Sequence, residues 1–313
     1  MKKLSFVIPC YGSEQTIESV VSSIIAKVAE RNDYDYEIVA VNDKSPDNVI
    51  EVLFALSEKN PKIKVLDFAK NVGKHTAVLA GYAFTKGDYV VTLDDDGQCP
   101  IENLWELIKP LEEGHDMAMA KYEIKQEKGY KKFGSFVNHL ASRLLLNKPK
   151  DLIFTNFIAR QNYICKAMAE YQNVFPYLEG LSLRITRDIV QVPMQEHQRL
   201  AGHSNFTFKK SLALWMNGFT AFSTMPLRIA TIIGFSTACI GFLFGIITIL
   251  RKLFIPGISV GYSSLLVAIL FCSGLIMLTL GLIGEYLGRV YITVNHYPQY
   301  VVRRTANIDD KKV

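Results

Sequence analysis

A pair of long apolar segments near the C-terminus constrains this chain most. Residues 227–250 and 265–287 are each long enough to cross a hydrocarbon core about 30 Å thick as a helix. The linker between them contains Pro256 and Gly257 and is short, so the two helices are expected to form a hairpin. The alternative is a helical hairpin buried in a large soluble protein, but soluble core helices of this length rarely lack polar interruptions. The sequence therefore predicts a transmembrane hairpin over residues 225–290.

The residues around the hairpin predict its orientation. Six basic residues lie at the outer ends of the two spans, and two lie in the linker on the other side of the predicted membrane. Those at the ends are Lys209, Lys210, Arg228, Arg289, Arg303 and Arg304, and those in the linker are Arg251 and Lys252. This balance favours a cytoplasmic location for both ends. No signal peptide is expected, because the apolar run that starts at Leu4 stops at Pro9. We therefore expect residues 1–205 and the tail, residues 291–313, to lie in the cytoplasm.

Residues 206–224, which lie just before the first span, mix aromatic and aliphatic side chains with Lys209 and Lys210. This pattern predicts an amphipathic helix in the membrane interface, with its lysines near lipid phosphate. A helix of a soluble core fits the pattern nearly as well.

The N-terminal part of the chain alternates short apolar runs with segments of helical periodicity. Such alternation is typical of an α/β fold with a parallel, doubly wound sheet, which binds its ligands at the carboxyl ends of the strands. The predicted strands are Leu4–Ile8, Tyr36–Val41, Ile63–Phe68 and Tyr89–Leu93, and the predicted helices are Glu14–Ala29, Asn48–Glu58 and Lys74–Thr85.

Acidic residues follow two of these strands at the edge where such a sheet binds ligands. Asp43 follows the second strand, and Asp94, Asp95 and Asp96 follow the fourth, with Gln98 close behind. Adjacent carboxylates repel one another unless water or a cation compensates their charge, and oxygen ligands suit Mg²⁺ or Mn²⁺. An acidic surface turn is the alternative. The glycine motifs of dinucleotide-binding folds and of P-loop NTPases are missing, which argues against a dehydrogenase or an NTPase.

The net charge of +5 fits contact with anionic lipid or with phosphate. We predict no nucleic acid partner, because the chain has no helix-turn-helix, zinc-finger or aromatic RNA-binding signature. Its 5 cysteines lack the spacing of metal ligands and are typical of packing thiols in a reducing compartment.

Several motifs in this order resemble the family 2 glycosyltransferases of GT-A fold. Within that family they are most similar to the polyprenyl-phosphate glycosyltransferases, which include dolichol-phosphate mannose synthase and the bactoprenol glucosyl transferases. The resemblance covers nearly the whole chain, including the end of the second apolar segment. The motifs are Val7-Ile8-Pro9-Cys10-Tyr11, Val41-Asn42-Asp43-Lys44-Ser45, Asn71-Val72-Gly73-Lys74, Gly87-Asp88, Asp94-Asp95-Asp96-Gly97-Gln98-Cys99-Pro100, Arg199-Leu200-Ala201-Gly202-His203-Ser204-Asn205-Phe206 and Gly284-Glu285-Tyr286-Leu287-Gly288-Arg289.

The resemblance implies roles for individual residues. It implies catalytic roles for Asp96, Asp151 and Arg199 and a site for Mg²⁺ or Mn²⁺ at Asp94, Asp96 and Gln98. The implied substrate-binding residues are Pro9, Tyr11, Asp43, Asp94, Lys121, Lys131 and Ser204. Two departures affect the acceptor side: Asn205 replaces the family's usual lysine, and Ile158 stands where its Asp-x-x-Ser-Gly-Phe-Arg segment has arginine.

The implied reaction is the inverting transfer of a sugar from a nucleotide sugar, a UDP-sugar by weight of the family, to a polyprenyl-phosphate lipid. The implied architecture is a GT-A domain with a mixed sheet, an interface helix and a membrane hairpin, placed in the bacterial inner membrane. Homo-oligomers are an expectation by analogy. The sequence leaves open the same chemistry on diacylglycerol or a glycan, and a non-catalytic membrane subunit that binds nucleotide sugar.

Overall fold

The computed structural model describes residues 1–122, 152–172, 176–198, 225–254, 261–295 and 298–308. The chain divides into two compact units, one formed by residues 1–221 with 296–313 and the other by residues 222–295. Part of the predicted features lies outside the described residues: the interface helix at 206–224 and the site residues Lys131, Asp151, Arg199 and Ser204.

Within the described ranges, the first unit holds eight strands, which form one sheet. The strands are β1 (Lys2–Cys10), β2 (Tyr34–Asn42), β3 (Ile63–Phe68), β4 (Tyr89–Thr92), β5 (Met117–Tyr122), β6 (Ile158–Gln161), β7 (Ile189–Met194) and β8 (Val302–Ala306). The helices of this unit are α1 (Ile17–Val28), α2 (Val49–Lys59), α3 (Lys74–Ala83), α4 (Leu104–Glu112), α5 (Asn162–Ala169) and α6 (Leu178–Ile185). The alternation predicted for the first ninety residues is confirmed.

The strand order is β7-β5-β6-β4-β1-β2-β3-β8, and the sheet is mixed. The central strands β4, β1, β2 and β3 are parallel. Strand β6 runs antiparallel to both β4 and β5, β7 runs parallel to β5, and β8 runs antiparallel to β3. The central strands are nearly continuous apolar runs because helices cover both faces of this part of the sheet.

The direction of the winding reverses at β1. The chain first adds β2 and β3 on one side of β1 and then returns to place β4 on its other side. In open α/β sheets, ligands bind beyond the carboxyl ends of the strands at such a reversal. The topology therefore points to the loops that follow β1, β2 and β4.

Close packing of helices on the sheet fixes these loops. Helix α1 turns one apolar stripe towards the sheet, formed by Ile17, Val20, Val21, Ile24 and Val28. Helix α3 approaches the sheet so closely that a Cβ atom on Gly81 would lie 2.5 Å from Cγ1 of Val7. The α3 backbone is therefore held directly against β1 at Gly81.

The segment after the apolar helices returns to the α/β unit. Strand β8 pairs with β3 and forms one edge of the sheet, and Ala69 donates its backbone N–H to the carbonyl of Val301 at 2.9 Å. The ring of Tyr300 stacks on that of Phe68, with 5.0 Å between centroids. The α/β unit is therefore built from both ends of the chain, whereas the sequence suggested only a cytoplasmic tail.

The second unit contains two helices, α7 (Met225–Phe254) and α8 (Tyr262–Val294). Many of its large apolar side chains are exposed, among them Phe235, Phe242 and Met277. In the part of the chain that the structure describes, a single segment, Phe271–Val294, is long and apolar enough to cross a membrane. The apolar part of α7, Ala230–Phe244, is shorter than the about 20 residues that a span needs. The structure therefore does not support the predicted pair of spans at 227–250 and 265–287.

Candidate active site

The loops after β1, β2 and β4 meet at the edge of the sheet where the winding reverses. The backbone N–H of Tyr11, after β1, donates to Oδ2 of Asp95, after β4, at 2.9 Å. The N–H of Gly12 donates to Oγ of Ser45, after β2, at 2.7 Å. These hydrogen bonds bring together the two acidic strand ends that the sequence singled out.

Asp43 holds the loop between β3 and α3. Its carboxylate accepts the backbone N–H groups of Val72 and Gly73 at 2.7 and 2.8 Å. The Asn71 amide donates to the Asp43 carbonyl at 2.8 Å. Burial raises the pKa of Asp43, and the two backbone donors oppose that effect. Gly73 has a φ of 92°, which a side chain at that position would strain, so the loop depends on glycine as well as on Asp43.

The carboxylate of Asp94 forms an ion pair with a lysine side chain. The Nζ of Lys74, the first residue of α3, lies 2.5 Å from Oδ1 of Asp94. The Asp94 side chain is 16% exposed and that of Lys74 is 40% exposed, so the carboxylate is the more enclosed partner. Lys74 is not among the predicted site residues, although it ends one of the motifs that carry the family resemblance.

Asp95, the middle aspartate, faces the first loop and has a structural role that the sequence analysis missed. Besides accepting the Tyr11 N–H, it accepts the Thr16 hydroxyl through its backbone carbonyl at 2.6 Å. Burial raises the pKa of Asp95 to about 6, against the opposing effect of the Tyr11 donor. The sequence carried no signal for this division, because Asp95 lies in the turn after β4, where the alternation of side chains along a strand no longer applies.

Asp96 and Gln98 form the turn that follows β4. The Gln98 backbone N–H donates to Oδ1 of Asp96 at 3.1 Å. His197 follows β7 closely, and its backbone N–H donates to the backbone carbonyl of Gln98 at 3.0 Å. The side-chain amide of Gln98 donates to the backbone carbonyl of His197 at 3.4 Å. Nε2 of His197 also lies 2.6 Å from Oε1 of Glu102. The segment after β7 thus supports the turn that carries Asp96 and Gln98, two of the three predicted metal ligands.

The carboxylates at this edge of the sheet are the groups that could hold Mg²⁺ or Mn²⁺. Among the described residues, no three His, Cys, Asp or Glu side chains come close enough together to hold a metal ion. Sites that share Mg²⁺ with a substrate phosphate commonly use only one or two carboxylates. Asp94 and Asp96 supply oxygen ligands, and Asp94 already accepts a cationic group from Lys74. These residues fit a cation that is shared with a substrate.

The other predicted site residues fall into separate groups. Pro9 is buried on β1 opposite Val41 of β2, whereas the Tyr11 side chain is exposed. Lys121 is exposed near the end of β5 and makes no hydrogen bond or ion pair within the described ranges. The acceptor-side residues Lys131, Asp151, Arg199 and Ser204 lie outside those ranges.

The fold is shared with known sugar-transfer enzymes. Glucosyl-3-phosphoglycerate synthase from Mycobacterium tuberculosis, solved with Mn²⁺, UDP and phosphoglyceric acid, matches with a TM-score of 0.52 and 21% identity over 70% of this chain and 76% of that one. Mannosyl-3-phosphoglycerate synthase from Rubrobacter xylanophilus matches with a TM-score of 0.51 and 16% identity, over 69% of this chain and 71% of that one. The fold is therefore a GT-A-like α/β fold with a mixed sheet.

Sequence relatives extend the match to nearly the whole chain. Residues 5–166 match the family described as Glycosyl transferase family 2. An uncharacterized glycosyltransferase of Bacillus subtilis is 32% identical over 99% of this chain and 96% of the relative. A prophage-derived bactoprenol glucosyl transferase of Shigella flexneri is 32% identical over 97% of this chain and 98% of the relative. An undecaprenyl-phosphate 4-deoxy-4-formamido-L-arabinose transferase of Erwinia tasmaniensis is 30% identical over 99% and 96%. This chain belongs to glycosyl transferase family 2.

Proposed function

We propose that this protein transfers a sugar from a nucleoside diphosphate sugar, a UDP-sugar, to the phosphate of a polyprenyl lipid. The observation that carries the proposal is the meeting of two acidic strand ends, at Asp43 and at Asp94–Asp96, on either side of β1. The lipid acceptor is supported by the relatives named for bactoprenol and undecaprenyl phosphate, which match along nearly the full chain.

On the donor side, Pro9, Tyr11 and Asp43 line the pocket for the base and ribose. Tyr11 is held through its backbone by Asp95, and Asp43 is held by the loop before α3. Each carboxylate oxygen of Asp43 has a second lone pair, so the side chain can accept a ribose hydroxyl while it still holds the loop. These hydrogen bonds restrict the positions of Tyr11 and Asp43, and groups that are held in place lose less entropy when they bind a ligand.

The chemical step breaks the bond between the anomeric carbon and the diphosphate oxygen while an oxygen of the lipid phosphate attacks from the opposite face. The configuration at the anomeric carbon is inverted, and the nucleoside diphosphate leaves with the bonding electrons. Mg²⁺ or Mn²⁺, held by Asp94, Asp96 and Gln98, would neutralise the charge that develops on the diphosphate. The ammonium of Lys74, which lies beside Asp94, is placed to add a second positive charge there.

The acceptor needs positioning more than deprotonation. A phosphate monoester has a second pKa of about 6 and is largely dianionic at neutral pH. We assign its positioning to the basic residues Lys121, Lys131 and Arg199 and to the hydroxyl of Ser204, and we keep Asp151 as a candidate base of lesser weight. Diacylglycerol or a glycan would instead offer a neutral hydroxyl, which needs a base.

We place the reaction at the cytoplasmic face of the bacterial inner membrane. The exposed apolar side chains of α7 and α8 support insertion of the second unit into the bilayer. In this proposal α8 crosses the membrane and α7, which is 30 residues long as a whole helix, crosses beside it as the other arm of a hairpin. Two crossings keep the catalytic unit and both termini in the cytoplasm. The same helices are the surface on which homo-oligomers would form.

The metal site is tested with Asp96→Asn. The matched control is Asp33→Asn, because Asp33 directly precedes β2 and lies at the end of that strand away from Asp43. Asp33 is exposed and pairs with Arg31, far from the carboxyl ends of the strands. We expect Asp96→Asn to lower the transfer rate about 100-fold or more, because charge stabilisation of the leaving group is lost. Asp33→Asn should transfer at the wild-type rate, and EDTA should abolish transfer in both the wild type and Asp33→Asn. A wild-type rate in Asp96→Asn would refute the assignment.

A further inference from the structure

A chain of hydrogen bonds runs from the C-terminal strand into the interior of the sheet. The Nε of Arg304, on β8, donates to Oδ2 of Asp67 at 3.0 Å. Oδ1 of Asp67, at the end of β3, accepts the side-chain amide of Asn42 at 2.8 Å. The Asn42 carbonyl oxygen in turn accepts the backbone N–H of Ser45 at 3.1 Å. Side chains from three neighbouring strands thus connect β8 to the loop after β2.

Ser45 continues the chain to the wall of the proposed nucleotide pocket. Its hydroxyl accepts the backbone N–H of Gly12 at 2.7 Å and donates to Oδ1 of Asp47 at 2.5 Å. Gly12, with a φ of 72°, adjoins Tyr11 in the loop after β1, and Asp43 precedes Ser45 by two residues. The position of Ser45 therefore sets the relative position of the two loops that carry Tyr11 and Asp43.

The interior members of this chain are buried, so they depend on one another. Asp67 and Asn42 are each 3% exposed, and a buried polar group that loses its partner keeps its full desolvation cost. Arg304, with a 43% exposed side chain, supplies the positive charge beside the enclosed Asp67 carboxylate. Without that charge, Asp67 would be a buried carboxylate held by a neutral amide alone.

Other contacts seat β8 without Arg304. The strand pairs with β3 through its backbone, and Tyr300 stacks on Phe68. The amide of Asn307 also donates to the carbonyls of Ser57 and Ile63, both at 2.9 Å. A change at residue 304 therefore disturbs the hydrogen-bond chain while the strand stays in place.

We infer that Arg304 is a positioning residue for the nucleotide pocket, acting through Asp67, Asn42 and Ser45. The segment that follows the apolar helices is thereby part of the donor site, and donor affinity depends on β8 being seated on β3. This inference rests on the proposed function, because it takes the loops after β1 and β2 as the pocket for a nucleoside diphosphate.

The test compares Arg304→Gln with Arg303→Gln in the full-length, detergent-purified protein. Arg303, the preceding residue of β8, is exposed, and its side chain makes no hydrogen bond or ion pair within the described part of the chain. UDP binding is measured by titration calorimetry, and donor KM and kcat are measured in the transfer assay. We expect Arg304→Gln to raise the UDP Kd and the donor KM about tenfold, with kcat at saturating donor within about twofold of wild type. Arg303→Gln should match wild type in all three.

Hydrogen exchange provides a readout that needs no nucleotide. In the free protein, the peptide that covers residues 42–48 should exchange faster in Arg304→Gln than in Arg303→Gln, because the Ser45 N–H loses a fixed acceptor. Arg304→Lys, which keeps the charge, should recover part of the UDP affinity. Asp67→Asn, which removes the charge and leaves one acceptor oxygen for the two donors Arg304 and Asn42, should raise the UDP Kd to a similar extent. The double variant should be no worse than either single one.

Equal UDP affinity and equal exchange in the two arginine variants would overturn the inference. A fall in kcat with unchanged KM would do the same, because it would show a loss of active protein rather than a looser pocket. If Arg304→Gln does not fold, Arg304→Lys and Asp67→Asn decide by the same criteria. Wild-type protein that binds no nucleoside diphosphate would defeat the proposed function, and the exchange of residues 42–48 would then decide alone whether Arg304 holds the loop.

Discussion

Replacing Lys74 with glutamine is expected to tighten the binding of a divalent cation to the protein in the absence of donor. Nζ of Lys74 lies 2.5 Å from the Asp94 carboxylate, which is one of the proposed metal ligands. A metal ion that binds Asp94 must therefore displace the ammonium or bind beside it. Glutamine is neutral and removes this competition while it keeps most of the side-chain length.

The size of the effect follows from the exposure of the pair. Because Lys74 is 40% exposed, its ion pair with Asp94 contributes at most about 1 kcal/mol. Repulsion between an ammonium and a divalent ion about 6 Å apart in a water-like medium adds about 1 kcal/mol, and salt reduces it. Together these terms predict roughly tenfold tighter metal binding in Lys74→Gln.

The assay is a titration of detergent-purified protein with Mn²⁺, in which electron paramagnetic resonance reports the free ion at about 0.1 M salt. Lys70→Gln is the matched control, since Lys70 is exposed before the same loop and forms no ion pair within the described ranges. With UDP present, Mn²⁺ should bind Lys74→Gln more weakly than the wild type, because the variant lacks a positive charge for the diphosphate. Equal or weaker Mn²⁺ affinity in Lys74→Gln than in wild type and Lys70→Gln would refute the competition.

Three further predictions concern stability and pH. Burial lowers the pKa of His75 to about 4, so the unfolded chain, with its higher pKa, binds the proton more readily. The free energy of unfolding that depends on neutral His75 is fully present above about pH 6.5, and about 3 kcal/mol of it is lost as the pH falls towards 4. Thermal unfolding of His75→Asn should show a smaller loss over that interval. Gly87→Ala should destabilise the α/β unit by about 3 kcal/mol and Gly81→Ala by about 1–2 kcal/mol, as measured by urea unfolding. The order follows because the Cβ added at residue 87 meets backbone atoms, the Lys3 carbonyl at 2.7 Å and the Ser5 nitrogen at 2.8 Å, whereas the Cβ added at residue 81 meets side-chain atoms of Val7 and Val41. Equal losses would contradict this order. Transfer at saturating donor should rise with pH through about 6 and stay level above it, as expected for a phosphate acceptor, whereas a hydroxyl acceptor would keep the rate dependent on a protein base.

The sequence predicted the first half of the sheet because its signals there are local. Strands β1 to β4 are short apolar runs, and the helices between them alternate buried and exposed residues within a few turns. Strand β8 carried no such signal, because Arg303 and Arg304 lie on an exposed edge and the pairing partner is more than 200 residues away. Pairing of that kind depends on the finished surface of β3 rather than on the segment itself.

The candidate site, like the sheet, was predictable from the sequence only in part. The positions of Asp43 and Asp94 follow from the ends of predicted strands, and the structure brings their loops together. The use of each carboxylate was not predictable: Asp95 holds the Tyr11 loop, and Asp94 pairs with Lys74. Those contacts depend on distances between loops that only the packed sheet and α3 define.

The central claim is that the lipid phosphate receives the sugar, and one measurement tests it most directly. Detergent-purified protein is incubated with polyprenyl phosphate, Mg²⁺ or Mn²⁺ and a panel of radiolabelled nucleotide sugars, with diacylglycerol and acceptor-free reactions run in parallel, and the lipid phase is extracted. We predict that label from a UDP-sugar enters the organic phase only with polyprenyl phosphate and that EDTA prevents the transfer. Label that enters with diacylglycerol instead, or no transfer from any donor to the phosphate lipid, would contradict the account.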